Sequence, residues 1–310
     1  MTVYQIDDMK NKIKSILNKL PYIKGLYLEN VKLKKNSRYE PGHYFSPIIS
    51  IDEIKERENE IWKSVSTDVI NGIDLRLNSQ KKLVSHFIKF YNEIPFDTHK
   101  KEDKRYYFEN GLYSYTDAIT LYSMIRHLKP KQIIEVGSGF SSSVMLDTNQ
   151  SFFNNEINLT FIEPYPERLY KLLKEEDKKA TKIIVDFVQN IDVSVFEQLN
   201  EGDILFIDSS HVVKTGSDVH FVLFEILPKL KKGVYVHFHD IFYPFEYPKK
   251  WVYEGKNWNE DYFLKAFLMY NNEFEIELFS HYLHTHHKDV FAQMPLCYKN
   301  EGGNLWIRRK

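Results

Sequence analysis

Two groups of residues hold side chains that could do chemistry together. In "IIEVGSGFSSS" (133–143) an acid, Glu135, precedes two glycines one residue apart, Gly137 and Gly139, and then a run of serines. In "FIDSSH" (206–211) and "HFHDIF" (237–242), Asp208, His211, His237, His239 and Asp240 combine carboxylates with imidazoles. Glycines at such a turn let the chain reverse tightly and let backbone come close to a ligand. Ser141 and Ser142 open the following helix, where free N–H groups favour a carboxylate. Glu135 suits a ligand that carries a cationic amine and a sulfonium.

The second group allows two routes to activating a hydroxyl. If the strands that end at Asp208 and Asp240 are neighbours, their ends lie roughly 5 Å apart. Two carboxylates there can hold a divalent cation such as Mg²⁺, which would lower the pKa of a bound hydroxyl. The other route is a histidine base titrating near working pH, with His239 ranked ahead of His211. His237, two residues before His239 on the same strand face, reads as core.

The elements that must position these residues follow from the pattern of apolar runs. Helical spacing marks 8–20 and 81–93, and a proline-containing, charged stretch (93–107) reads as a connector. After a helix at 115–128, strands at 132–136, 159–163, 182–186, 203–208 and 233–239 alternate with helices at 166–175, 193–200, 216–230 and 259–271. Strands at 274–280 and 304–309 close the chain as an antiparallel pair. Apolar strands separated by crossover helices predict an α/β fold with a doubly wound, mostly parallel seven-stranded sheet. The expected organisation is a mainly helical N-terminal extension (1–105) followed by one sheet domain (106–310). Ligands of such sheets sit outside the carboxyl ends of the strands, where both groups of residues fall.

Dinucleotide sites place a third glycine where this chain has Ser142. The second strand ends in Glu163, in "FIEPYP", and an acid there can accept from both ribose hydroxyls of an adenosine. NAD and S-adenosylmethionine share that need. The whole set, E-x-G-x-G at Glu135–Gly139, Glu163, the polar Gln189 in "DFVQN" and Asp208 in "FIDSSH", resembles the class I S-adenosylmethionine-dependent methyltransferases over about residues 130–310. "LFIDSSH…LPKLKKGVYVHFHDIF" is similar to their bacterial small-molecule and sugar O-methyltransferases. The resemblance implies a Rossmann-like methyltransferase fold with S-adenosylmethionine as cofactor. Glu135 and the backbone of Gly137, Ser138 and Gly139, with Ser141 and Ser142, would hold its amino-acid part. Glu163 would bind the ribose, Gln189 would lie near the adenine, and Asp208 would both contact the cofactor and join His239 and His211 in the catalytic set. Metal-dependent members place acids at the positions of Asp208 and Asp240 and usually follow the second with another acid or amide. This chain has Ile241 there.

The implied activity is methyl transfer to an oxygen of a small-molecule or sugar-type acceptor. Its rivals are an NAD-dependent oxidoreductase or sugar-modifying enzyme on a similar fold, and a non-catalytic scaffold with a degenerate site. The net charge of −1 over 310 residues offers no field for a phosphate backbone, so no nucleic-acid partner is expected. No run approaches the roughly 20 apolar residues that span a bilayer, so no membrane partner is expected either. The single cysteine, Cys297, excludes an internal disulfide and fits a cytoplasmic setting. The histidine-rich "SHYLHTHHKD" (280–289) reads as a surface loop, and the aromatic stretch 241–262 as a pocket wall. For the N-terminal segment two roles stay open, a fold over the site or contacts in a homo-oligomer.

Overall fold

Ile204, Leu205, Phe206 and Ile207 run without a polar interruption and are all buried, as a strand covered on both faces requires. They form the central strand of the sheet in a computed structural model that describes residues 3–17 and 19–310. The strands are β1 (Gln132–Val136), β2 (Asn158–Ile162), β3 (Lys182–Ile184), β4 (Ile204–Ile207), β5 (Tyr235–His239), β6 (Phe274–Phe279) and β7 (Asn304–Arg309). Their order across the sheet is β3-β2-β1-β4-β5-β7-β6. β1 to β5 are parallel, and β7 runs antiparallel to both β5 and β6. The order reverses between β1 and β4, the switch point where such sheets bind ligands.

Register carries the site to one edge. Glu135 lies opposite Phe161 on β2 and Phe206 on β4, and His237 lies between Phe206 and Trp306. The strands therefore end side by side, so the residues just beyond β1, β2, β4 and β5 share one mouth.

The expected seven strands are present within a residue or two. The helices depart more. The run expected at 166–175 breaks into Glu167–Leu172 and Glu175–Ala180, and 193–200 winds as a 3₁₀ turn, Val193–Gln198. The run at 216–230 is one α-turn (Asp218–Phe221), then a π-helical turn (Val222–Ile226), then a 3₁₀ turn holding Pro228. Pro228 lacks the N–H that a regular helix would need there.

Two compact units divide at Glu58/Asn59. The expected boundary at 105/106 falls inside the second unit. Helix Leu77–Tyr91 sends Leu83, Val84 and Phe87 into the core around the sheet. The Gln80 side chain accepts from Phe279 N at 2.7 Å, and Arg76 Nη1 donates to Ile276 O at 2.9 Å, both on β6. The charge cluster read as a connector also folds inward. Arg105 is buried and pairs with Asp147 and Asp177.

The first unit holds helices Val3–Leu17, Pro21–Asn36 and Ile51–Glu56. The first expected helix (8–20) is described as far as Leu17, with residue 18 outside the described residues, and Pro21 starts a second helix at a position where a missing N–H costs nothing.

Candidate active site

The turn after β1 needs glycine for a reason that distance makes plain. Gly137 has φ +83°, and a Cβ placed on it would sit 1.6 Å from Asp208 O. The turn therefore presses on the backbone leaving β4. Gly137 N donates to Ile162 O (3.0 Å) and Asp208 N donates to Val136 O (2.9 Å), which extends the parallel ladder past the strand ends.

Glu163 ties the mouths of β1 and β2 together. Its Oε2 accepts from Ser138 N and its Oε1 from Tyr165 N, both at 2.9 Å. A carboxylate has about four acceptor positions, so lone pairs remain on the cavity side.

Glu135 does not fill the place expected of it. Its carboxylate is fully buried behind the turn, where it accepts from Ser141 Oγ at 2.5 Å and from Ser142 Oγ. Burial pushes this carboxyl up to about 8, and the serine hydroxyls draw it only partly back. Ser142 also accepts from Gly139 N at 3.0 Å. Glu135, Ser141 and Ser142 thus act as a brace that sets the turn's shape. Only Ser141 of the three borders open space.

Two cavities meet at this turn. One, of 340 Å³, lies between Glu163, Tyr165, Phe187, Gln189 and Ser209. The other, of 440 Å³, is bounded by Gly137–Ser141 on one side and by Asp208, His211, His239 and Asp240 on another. Both share Gly137, Glu163 and Asp208. Four polar atoms of the residues on these walls, Ser138 Oγ, Ser209 Oγ, Gln189 Oε1 and His239 Nδ1, are buried with no protein partner. Buried orphans of this kind are rare in native structures and mark where a ligand's polar groups belong. Gln189 is held for that task, since its Nε2 donates to Gly216 O at 3.2 Å.

The second cavity ends in a cluster of acids around a histidine. His211 Nδ1 lies 2.9 Å from Glu260 Oε2; a carboxylate only accepts, so Nδ1 carries the proton. His211 Nε2 faces Asp208 Oδ1 at 3.5 Å and Asp240 Oδ2 at 3.8 Å. Burial opposes charge on this ring, but Asp208 and Glu260 outweigh it and hold His211 well above the ordinary histidine value. Burial likewise raises the Asp208 carboxyl, yet His239 and His211 prevail and leave it below its usual range. Burial pushes Asp240 and Glu260 up, and the histidines pull each back only in part. His239 Nε2 sits 3.5 Å from Asp240 Oδ1. Burial lowers its pKa, but Asp240 and Asp208 win and raise it.

His211 and Asp240 both hold left-handed backbone, with φ of 58° and 56°. For a side chain with a Cβ this costs roughly 1–2 kcal/mol each. Local contacts hold His211 there: its carbonyl accepts from Asn259 N (3.1 Å) and Glu260 N (3.3 Å), and its ring lies 4.3 Å from that of Trp258.

His237 is core, as expected. It is stacked on Phe206 at 3.9 Å and lies 4.7 Å from the Trp306 ring, with both nitrogens unpartnered. Burial drives its pKa well below the ordinary value, so it is neutral.

Most of the aromatic stretch 241–262 is packing, because Ile241, Tyr243, Phe245 and Tyr247 are buried. Trp258 alone of its aromatics lines the second cavity, with Lys256 Nζ 4.6 Å from its ring. The histidine tract is no surface loop either. It forms helix Ser280–His286, in which His284 is buried against Phe291. His281 pairs with Glu301, and His287 with Asp68. Among the described residues, no three His, Cys, Asp or Glu side chains are grouped to hold a metal ion.

Sequence reading missed Glu260, Arg168 and Tyr113. Glu260 stands in the first turn of helix Glu260–Leu268, where acids are common, and Arg168 lies on Glu167–Leu172. Arg168 lines the second cavity beside Gly139, and Tyr113 lies 5.0 Å from the His239 ring. No spacing rule links these residues to the mouth; only the path of the chain does.

A methyltransferase-domain family matches residues 134–241, from β1 to just past β5. An uncharacterised protein of Archaeoglobus fulgidus is 33% identical over 188 residues, which cover 59% of this chain and 84% of that one. Among solved structures, the Podospora anserina methyltransferase PaMTH1 with bound S-adenosylhomocysteine has 16% identity and a TM-score of 0.43, covering 85% of this chain and 98% of its own. The Streptomyces achromogenes O-methyltransferase TomG has 12% identity and a TM-score of 0.41, covering 82% and 96%. The sequence match spans the strands that build the mouth, on a sheet whose strand order turns back through a reversed final hairpin. The chain therefore belongs to the class I S-adenosylmethionine-dependent methyltransferases.

Proposed function

We propose that the chain transfers the methyl group of S-adenosylmethionine to a hydroxyl oxygen of a small-molecule or sugar-type acceptor. The observation that supports this is a shared space. One 440 Å³ cavity has the glycine turn on one wall and the acid–histidine cluster on another. When bound, the cofactor supplies an electrophilic methyl on a sulfonium; alignment and proton removal are left to the protein.

Glu163 would take the ribose hydroxyls with its free lone pairs, and Gln189 Oε1 would accept from the adenine amine. Ser138 Oγ, Ser209 Oγ and Arg168 would meet the amino-acid end. Tyr113 and Trp258 offer flat faces to an acceptor ring. His211 is the better oriented base, since Glu260 fixes its Nδ1 and turns Nε2 toward the cavity, the arrangement an oriented general base requires. This reverses the ranking expected from the sequence. His239 Nδ1 has no such partner.

The cation route fits the residues poorly. The two carboxylates expected to hold Mg²⁺, Asp208 and Asp240, converge instead on His211 Nε2, a ring whose raised pKa favours its charged form between them. Exhaustive chelation is thus expected to leave turnover unchanged; a loss that added Mg²⁺ restores would return the cation to the mechanism.

Calorimetric titration tests the reading as a whole. S-adenosylhomocysteine should bind, and Glu163→Ala should weaken it by about tenfold to a hundredfold, the worth of hydrogen bonds to a charged group. Tighter binding of NAD(H) than of S-adenosylhomocysteine would overturn the proposal.

A further inference from the structure

The first two helices leave in water the apolar side chains that their pattern would send to a core. Met9, Ile13, Ile16 and Leu17 recur on one face of Val3–Leu17, and are 46%, 50%, 64% and 42% exposed. Helix Pro21–Asn36 buries no residue at all, and Tyr22, Leu26 and Leu33 lie exposed along one side of it. The same stretch is strongly basic. Residues 3–36 hold eight lysines against three acids, Asp7, Asp8 and Glu29, in a chain whose net charge is −1. A 690 Å³ groove nearby repeats the mixture, with Lys32 and Arg38 beside Leu33, Tyr39, Phe45 and Ile48.

We propose that this helical pair lies on an anionic lipid surface, its apolar side chains at the acyl boundary and its lysines among the headgroup phosphates. Charge and apolarity select this occupant together. A second copy of the chain would bring the same positive excess against this face. A nucleic acid would satisfy the lysines and leave the apolar stripe in water. A lipid surface takes both, because long lysine stems let the charge reach the headgroups while neighbouring leucines and isoleucines enter the apolar layer. Tyr22 and Tyr44, 75% and 92% exposed, are side chains that favour the headgroup level. The expectation of no membrane partner rested on the lack of a spanning segment. No described helix is long and apolar enough to cross a membrane, and a helix lying in the surface need not be. The proposal does not depend on the methyl-transfer reading.

The test is sedimentation of the full chain with vesicles of phosphatidylcholine, alone or mixed with phosphatidylglycerol. Binding is expected only to the mixed vesicles and should weaken with salt. Joint Lys32→Glu, Lys34→Glu and Lys35→Glu substitution should lower partitioning by about a hundredfold. Ile13→Ser with Ile16→Ser leaves charge unchanged and should also lower it; circular dichroism checks that the variants keep their helices. Failure of the wild-type chain to bind mixed vesicles at low salt would overturn the proposal. So would isoleucine variants that bind as well as wild type, or a dimer in solution that those substitutions dissociate.

Discussion

His211→Ala is expected to lower kcat by about 10²–10⁴-fold, the usual worth of a positioned base, while S-adenosylhomocysteine affinity stays near wild type. The argument is geometric first. His211 is the one histidine at the mouth whose far nitrogen is held by a buried carboxylate, Glu260 Oε2 at 2.9 Å, so its Nε2 cannot swing away from the cavity. The sign of its pH dependence follows from its surroundings. Asp208 and Glu260 hold the ring above the ordinary histidine value, so at neutral pH it carries a proton that a base must first lose. Turnover should therefore rise with pH through this raised pKa and level off above it. Glu260→Gln removes one of the charges that raise it, and the rise should move to lower pH. These profiles are read as S-adenosylhomocysteine released with any acceptor that supports wild-type turnover. A His211→Ala enzyme with more than about a tenth of wild-type kcat would remove His211 from this role. A larger loss in His239→Asn would assign the base to His239.

The second large effect is on stability. Arg105→Ala should destabilise the sheet-bearing unit by about 3–5 kcal/mol, because it strands two buried carboxylates without their cation. Arg105 donates to Asp177 through Nε and Nη2, each at 2.6 Å, and to Asp147 Oδ1 through Nη1 at 2.7 Å. Asp147 Oδ2 also accepts from Arg105 N and Tyr106 N, at 3.0 and 2.9 Å. The cluster thus pins the segment that carries Tyr113 to helix Phe140–Phe152, whose N-terminal end is the glycine turn. Against a whole-protein stability of about 5–15 kcal/mol, a loss of that size should lower Tm by roughly 10 °C, measured by calorimetry. Arg105→Lys, which keeps the charge but loses the two-pronged contact, should fall between. A Tm within about 2 °C of wild type for Arg105→Ala would show that the cluster contributes little.

Arg105 also shows why parts of this protein could not be read along the chain. In "KKEDKRYY" it is one charge among several, and nothing local marks it as the buried one. Its partners lie 42 and 72 residues away. The same holds for Glu260, which meets His211 across 49 residues, and for the histidine tract, whose members go to separate packing partners. Glu135 is a different case. Its place beside the turn was legible, but whether its carboxylate faced the ligand or the core depended on the hydroxyls of Ser141 and Ser142 reaching back to it.

The sequence by itself determined the strands, their mostly parallel arrangement, the glycine turn and the family, because each depends on residues adjacent in the chain. Apolar runs make strands, and a left-handed turn pressed against backbone admits only glycine. The tertiary structure alone decided which charged groups are buried, which histidine is held by a carboxylate, and that two acids close on an imidazole. Those outcomes are set by desolvation and by charge pairs across distant segments, which no local pattern encodes.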